Sequence, residues 1–354
     1  MIAADLRVAL DAWRDAQGSA ATTAAADGGS RAAALLDELV MRRLDRLPAP
    51  GSGATLQRWQ ALAVVAAHDL SLAKLYEGHT DALAILAELD APAAAAPNTT
   101  WGVWASEAPQ GRTRFEGAGS EGRVTLYGNK CWCSGATSAS HALVTAWGDD
   151  GRGPQLVRVA LRQPGVAVHT GGWHGVGMAG SASVDVGFDG AVGHSVGGIG
   201  AYLARPGFWQ GGAGIAACWY GGALGLAAVL RDSLAGTPDG ARDRFRLAAL
   251  GKTDLSLQAC AALLRDAAAW IDAHPLADAS EVALRVRLGA EACARAVLDE
   301  VGRALGATPF CRDAAFARRA ADLPVFIRQS HAERDFVALG ERLLMPAGAT
   351  SWSL

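Results

Sequence analysis

The chain has 354 residues, with 32 lysines and arginines against 35 acidic residues and a formal net charge of −3; it offers neither a basic patch for a nucleic acid nor a polybasic membrane segment. Two or three cooperating units are expected at this length. Because aromatics are only 6% of residues, small side chains must close much of the core by letting backbones approach. The opening MIAADLRVALDAWRDAQ lacks the charge pattern of a signal peptide, and no run reads as apolar and charge-free enough to span a bilayer, so a cytoplasmic protein is expected.

Residues 1–97 read as helical. A short first helix is followed by a linker around Ala20–Ser30, a helix over Arg31–Leu47, a break at Pro48–Gly53, and a long run from Thr55, its expected N-cap, to Leu89. Leu62, Val65, Ala66 and Leu70 give that run one broad apolar face. Within it, Leu75–Thr80 reads as a helix–helix turn with Gly78 as C-cap rather than as a site. From 98 to 198 the pattern changes to short β-rich runs (Arg123–Tyr127, Ala142–Trp147, Gln155–Leu161, Val166–His169, Ser183–Phe188) between Gly, Pro, Asn and Asp clusters. That is the signature of a small barrel or sandwich, and its place between two helical regions excludes an alternating βαβ sheet. Gly193–Gly200 lacks the lysine and spacing of a phosphate loop and reads as a linker.

Residues 199–354 are helical again. The glycines of Phe208–Leu234 would be costly in an exposed helix, so they mark tight packing against another helix or a ligand. Helices are expected over Ala241–Ala273, with a stripe of Leu257, Cys260, Ala261 and Leu264, over Ser280–Leu305, and, after a break at Gly306–Pro309, over Arg312–Ala321 and Val325–Leu344, the last with Phe336, Leu339 and Leu343 on its buried edge. The six cysteines read as reduced core residues. Cys131 and Cys133 have no second Cys/His cluster at metal-ligand spacing, so no metal is expected. The fold class is therefore α+β, with a helical domain, a β domain and a helical bundle in that order.

The stretch richest in chemical signals is Gly128-Asn129-Lys130-Cys131-Trp132-Cys133-Ser134-Gly135-Ala136. It reads as a strand ending at a ligand: Trp132 as an aromatic wall, Ser134 as a donor, and two glycines that let a planar group approach the backbone. A hairpin corner around a buried Trp fits the same residues.

The order of elements and several motifs resemble the acyl-CoA dehydrogenase family. Trp132-Cys133-Ser134 is similar to its Trp-Ile-Thr motif, preceded by the matching Gly128-x-Lys130. Ala105-Ser106-Glu107 resembles the Thr-Glu strand end. Gly175–Ser181 followed by Val184–Asp189 is similar to the segment "Gly-Met-Arg, then Phe-Asp-Asp-Val". The resemblance spans roughly residues 70 to 344 and implies FAD as cofactor. It places Trp132 on the isoalloxazine, Cys133 and Ser134 beside it with the Ser134 hydroxyl near flavin N5, and Ala105, Ser106 and Glu107 at the pyrimidine edge. It also implies a homodimer or homotetramer, an acyl thioester or other small-molecule substrate, and an electron-transfer partner or oxygen as acceptor.

Departures from the family pattern bear on the reaction. Pro109-Gln110-Gly111-Arg112 replaces a Gly-Ser-Asp substrate contact, and the pyrophosphate-binding Arg-x-Phe falls near Ala248, with only Arg242, Arg244 and Lys252 close in sequence. The position of the α-proton base reads Gln329. Glu333, one helical turn on, is the substitute carboxylate on the same face, and it also fits a solvated surface run. The primary expectation is an FAD-dependent oxidoreductase acting on the CH–CH group of an acyl thioester. Two alternatives stand beside it: a reduced-flavin monooxygenase, which needs no α-proton base and in which His331 becomes an acid or oxygen partner, and an inactive binding paralogue.

Overall fold

A computed structural model describes residues 2–17, 28–89, 91, 97–107, 112–117, 122–149 and 151–344. Most of the expected linker at Ala20–Ser30, and Pro109, Gln110 and Gly111, lie outside them. The chain forms two compact units, one from the residues up to Ala49 together with Ser71–Phe208, the other from Pro50–Leu70 together with the chain from Trp209 onward.

The first unit is built around seven strands: β1 Trp101–Trp104, β2 Arg114–Glu116, β3 Arg123–Cys133, β4 His141–Trp147, β5 Pro154–Ala160, β6 Val166–His169 and β7 Val184–Val196. Pairing runs β4-β2-β3-β7-β5 and returns to β4, so the sheet closes into a small barrel, with β1 added parallel to β4 and β6 antiparallel to β7. Closure leaves those five strands without a free edge. Val124, Leu126, Val144, Val157, Val186 and Phe188 fill the barrel. β4 is buried on both faces because its outward Leu143 joins a second cluster with Ala82, Ile85 and Leu86.

The linker expected at Gly193–Gly200 is half strand. Gly193 pairs with Val124 and Val159, and a Cβ there would stand 2.4 Å from Val157 Cγ1, so the glycine marks close strand packing.

Helices α1 Ile2–Gln17, α2 Gly28–Met41, most of α4 Leu70–Glu88 and the short α5 Ala201–Ala204 complete this unit. The turn expected at Leu75–Thr80 is continuous helix inside α4. The break falls at Asp69, whose extended backbone (φ −154°, ψ 129°) ends α3 Thr55–His68. Gly78 is a contact glycine, its Cβ position 4.0 Å from the Val103 amide nitrogen of β1.

The second unit is a helical bundle of α3, α7 Ile215–Ala235, α8 Arg244–Ala273, α9 Ser280–Leu305, α10 Ala307–Arg312, α11 Ala314–Phe326 and α12 Glu333–Leu343, with the short α6 Gly207–Ala213 leading into it. Thr55 is not the N-cap of α3. Its amide donates to Asp272 of α8, so a side chain from another helix caps it. The α7 glycines pack against helix: a Cβ on Gly221 would stand 2.3 Å from the Ala63 carbonyl oxygen, and one on Gly225 2.8 Å from that of Ala67.

Contrary to expectation, one segment, Gly207–Ala235, is long and apolar enough by length and composition to cross a membrane. Since 78% of its apolar window is buried inside the protein, it fits a core helix. The buried edge expected on α12 is corrected as well: Phe336 is exposed, Leu339 and Leu343 are half-buried, and Asp335 is the buried residue. Of the cysteines assigned to the core, Cys133, Cys218, Cys260 and Cys293 are buried, Cys131 is half-buried and Cys311 is exposed.

Candidate functional site

The end of β3 is shaped by a bulge. Lys130 pairs with Val186 and Cys133 with Val184, so three residues of β3 span two of β7. The extra residue takes Trp132 out of the alternation and into a left-handed backbone (φ +63°). Its ring is 58% exposed, which is rare for tryptophan. Trp173 meets it edge-on, with ring centroids 6.0 Å apart at 87°. The hairpin alternative required a buried Trp132 and is corrected by this exposure.

Cys133, on the other side of the bulge, is fully buried in the barrel core. Its thiol donates to the Lys130 carbonyl at 3.2 Å, and burial pushes its pKa up, leaving only its backbone for a ligand. The two glycines of this stretch do not hold open space for a planar group. A Cβ on Gly128 would meet the Arg112 carbonyl oxygen at 2.5 Å, and one on Gly135 the Leu75 side chain at 3.0 Å; both residues have positive φ.

Beneath the bulge lies a buried charge network that the sequence did not disclose. The Lys130 ammonium, fully buried, donates to Glu107 Oε1 at 2.9 Å, Thr145 O at 3.0 Å and Thr145 Oγ1 at 2.7 Å. Thr145 Oγ1 donates to the same carboxylate oxygen at 2.6 Å, and Trp147 Nε1 to the other at 3.1 Å. The Arg112 guanidinium lies over the Trp147 ring. Burial alone would raise the Glu107 pKa, but hydrogen bonds from Thr145, Lys130 and Trp147 and the Lys130 charge outweigh it and hold the carboxyl below its usual range. Burial lowers the Lys130 pKa, with Glu107 partly offsetting. The Glu107 carboxylate thus ties the end of β1 to β3 and β4, while Ala105 is half-buried and Ser106 exposed.

Ser134 opens a chain of hydroxyls. Its Oγ is 2.7 Å from Ser183 Oγ, which is 2.8 Å from Ser181 Oγ, and Ser181 donates to the Met178 carbonyl at 2.7 Å. Each hydroxyl has one hydrogen. With that of Ser181 committed to a carbonyl, Ser183 must donate to Ser181 and Ser134 to Ser183. Ser134 therefore offers a ligand an acceptor, whereas the sequence reading made it a donor. The Ser181 end is fixed by left-handed Met178 and Ala182 and by the Gly135 amide, which donates to the Ser181 carbonyl at 2.8 Å. Nearby, a small cleft with a cavity volume of about 20 Å³ is lined by α2, α4, β1 and the turn after β3, including Lys74, Trp101 and Ser134.

In the bundle, the three residues proposed for proton chemistry lie across a break between a 3-10 turn and α12. Gln329 ends a 3-10 turn and is exposed; its carbonyl accepts from Arg287 at 2.9 Å. Ala332 (φ +49°) then breaks the helix, and exposed Glu333 begins α12. Gln329 and Glu333 therefore share no helical face, which corrects the inference that one replaces the other by helical spacing. A Ser330-x-x-Glu333 pattern, typical of a helix start, marks this boundary in the sequence, and Ser330 Oγ accepts from the Ala332 amide. His331 is tied to the buried carboxylate of Asp335, with Nδ1 at 3.3 Å and its amide at 3.1 Å. Asp335, two residues beyond Glu333 in that charged run, is buried rather than solvated. Of the three basic residues considered for a pyrophosphate, Arg242 is engaged by Asp239 and the carbonyls of Leu234 and Thr237 and Lys252 by Glu300, while Arg244 is exposed at the start of α8.

No protein-family model and no curated protein matches this sequence. Solved structures do resemble it. The chain is similar to a nitrososynthase from Micromonospora carbonacea var. africana (19% identity, TM-score 0.78, covering 97% of this chain and 96% of that one). It is also similar to the methanesulfinate monooxygenase MsuC from Pseudomonas fluorescens (20% identity, TM-score 0.74, 97% and 95%) and to TdsC from Paenibacillus sp. A11-2, solved with FMN and indole (19% identity, TM-score 0.69, 90% and 96%). At these identities the likeness establishes the fold alone, a mixed helical and small-barrel fold of acyl-CoA dehydrogenase-like type.

Proposed function

We propose that the protein is a flavoenzyme of the reduced-flavin monooxygenase type, binding FMN on the barrel face at Trp132. Bound reduced flavin would supply two electrons to dioxygen, one atom of which would pass to the substrate while the other leaves as water.

The observation that carries this reading is the polarity of the serine chain. The resemblance to acyl-CoA dehydrogenases places the Ser134 hydroxyl near flavin N5. N5 bears a hydrogen in the reduced ring and a lone pair in the oxidised ring, so an acceptor at Ser134 favours the reduced form. Trp132 supplies the flat wall a flavin ring requires, and Trp173 restrains that wall from the side.

Three further points support the choice over acyl thioester dehydrogenation. The base position holds an amide, which cannot take an α-proton. Glu333 is not presented from the same helical face. The named neighbours include monooxygenases, and TdsC is recorded with FMN. FMN is proposed in place of the FAD first expected on the strength of the FMN bound in TdsC.

The reading is tested by anaerobic titration of the purified protein with oxidised and with reduced FMN. Reduced FMN should bind at least about tenfold more tightly, Trp132→Ala should weaken both, and Ser183→Ala, which frees the Ser134 hydrogen, should narrow the difference. Equal affinity for the two redox states in the parent, or unchanged binding in Trp132→Ala, refutes it.

A further inference from the structure

Two of the buried cysteines face each other across α8 and α9. The helices run antiparallel: Arg246 Nε donates to the Ala304 carbonyl at 3.2 Å, Lys252 Nζ to Glu300 Oε1 at 3.1 Å, and the Cys293 thiol to the Ser256 carbonyl at 3.4 Å. Further along, a Cβ on Gly289 would stand 2.5 Å from Leu263 Cδ2, so the glycine lets the helices close up there. Cys260 lies on α8 between Ser256 and Leu263, one turn from each and on the same face. This register sets it opposite Cys293. Both residues are buried, at 4% and 6% exposure.

The two thiols are hydrogen-bonded to each other, and a thiol has one hydrogen. That of Cys293 goes to the Ser256 carbonyl, so Cys260 donates to the Cys293 sulfur. The bond makes the two unequal. Donating it, together with burial, pushes the Cys260 pKa up, while accepting it holds the Cys293 pKa below the usual thiol value against the burial that opposes it. Tyr220 of α7, near both sulfurs, stays neutral, its own pKa raised by burial first and by the cysteines after it. A sulfur suited to attack and a second suited to resolve thus stand in contact.

We infer that Cys260 and Cys293 form a peroxide-responsive disulfide pair, in which Cys293 reacts and Cys260 resolves. The Cys293 thiolate attacks one oxygen of hydrogen peroxide, the O–O bond breaks, and hydroxide leaves as water with the proton that Cys293 released, giving a sulfenic acid. The Cys260 sulfur, losing its proton, then attacks Cys293; the S–S bond forms as the S–O bond breaks, and a second water leaves. Two thiols give two electrons to one peroxide. The bond joins α8 to α9 and keeps Cys293 from the irreversible sulfinic step, and a dithiol reverses it. Hydrogen peroxide is also what dioxygen becomes when flavin electrons reach it and no substrate accepts the oxygen atom. That source rests on the flavin reading above; the disulfide does not.

The test uses the full chain, reduced and then freed of reductant, in a hydrogen peroxide series stopped with catalase and blocked with N-ethylmaleimide in denaturant. Tryptic peptides 253–265 and 288–295 carry the two cysteines. In the parent they should appear joined, lighter than their sum by two hydrogens, and should separate with dithiothreitol. Oxidation of the exposed Cys311 reports that peroxide acted on the chain. Cys260→Ser should leave Cys293 as a sulfenic acid that dimedone captures and that otherwise passes to a sulfinic acid dithiothreitol does not reverse. Cys293→Ser should leave Cys260 a thiol over the same series. Peptides that stay apart in the parent while Cys311 is oxidised overturn the proposal, a result that needs no variant to fold. Pairing of either residue with a different cysteine, or dimedone capture on Cys260 rather than Cys293, overturns it as well. Because the peroxide is added, failure here with FMN binding intact fails only this proposal.

Discussion

Two substitutions in the barrel network should differ in a direction that counting bonds does not suggest. Lys130 makes three hydrogen bonds and Glu107 accepts three, yet the two ends are buried unequally: the Lys130 side chain is fully buried, while that of Glu107 is 35% exposed. Removing one partner of a buried pair costs about 3–5 kcal/mol, because the other charge is left uncompensated. Glu107→Gln leaves the ammonium sealed in the protein without a countercharge, with Thr145 and at most one neutral amide oxygen. Discounted for the carboxylate's exposure, the cost is about 2–3 kcal/mol. Lys130→Met removes the buried charge itself. Glu107 keeps Thr145, Trp147 and water, and the main loss is the donor to the buried Thr145 carbonyl, about 1 kcal/mol. Hydrogen exchange of peptides spanning β3 and β4 reads the barrel by itself, and Glu107→Gln should speed it by roughly 30–150-fold and Lys130→Met several-fold. The pH dependence has a fixed sign. The folded Glu107 pKa lies below the ordinary carboxylate value, so its contribution is complete above about pH 5 and is lost as pH falls through the folded value. Glu107→Gln should lack that acid decline. If Lys130→Met is the more damaging change, the burial argument is wrong.

Gly221→Ala, whose Cβ would press on the Ala63 carbonyl oxygen, should cost about 1–3 kcal/mol and lower the melting temperature of the bundle by a few degrees, against little change for Gly212→Ala, where nothing lies within 4 Å. Octanoyl-CoA mixed anaerobically with the FMN-loaded protein should leave the flavin oxidised; fast bleaching that survives Glu333→Gln would restore the dehydrogenase reading with a base elsewhere. Exposed Phe245 and Leu255 on α8, and Phe336 and Val337 on α12, are apolar surface a monomer has little use for, so sedimentation should give a homodimer or homotetramer that Phe245→Ser with Leu255→Ser shifts toward smaller species; a monomeric parent at micromolar concentration contradicts this.

What could be read ahead of the structure depended on how local its cause is. The alternation at the start of β3 and the β-rich composition of β4 and β5 are properties of adjacent residues, and so is the capless run of α9, whose ends fall where the pattern placed them. β1 was invisible because Trp-Gly-Val-Trp is too short to show a period, and because it is extended through parallel pairing with β4, forty residues away. Lys130 could be seen as part of a motif but not as a buried ammonium, since Glu107 and Thr145 reach it only once the barrel closes. Glu333 was misplaced by letting helical spacing run through Ser330–Ala332. Trp132 stands between the two cases. Lys130 and Cys133 both point into the barrel, yet they are an odd number of positions apart, and strict alternation forbids that unless one residue is extra. With Cys133 read as a core residue and set on one face with Val124 and Leu126, the parity alone would have required a bulge between Leu126 and Cys133. It would also have turned outward the aromatic on which the proposed flavin site depends. The polarity of Ser134 has no such local trace: it is set by a hydrogen that Ser181 gives to Met178, and only the folded chain brings those residues beside it.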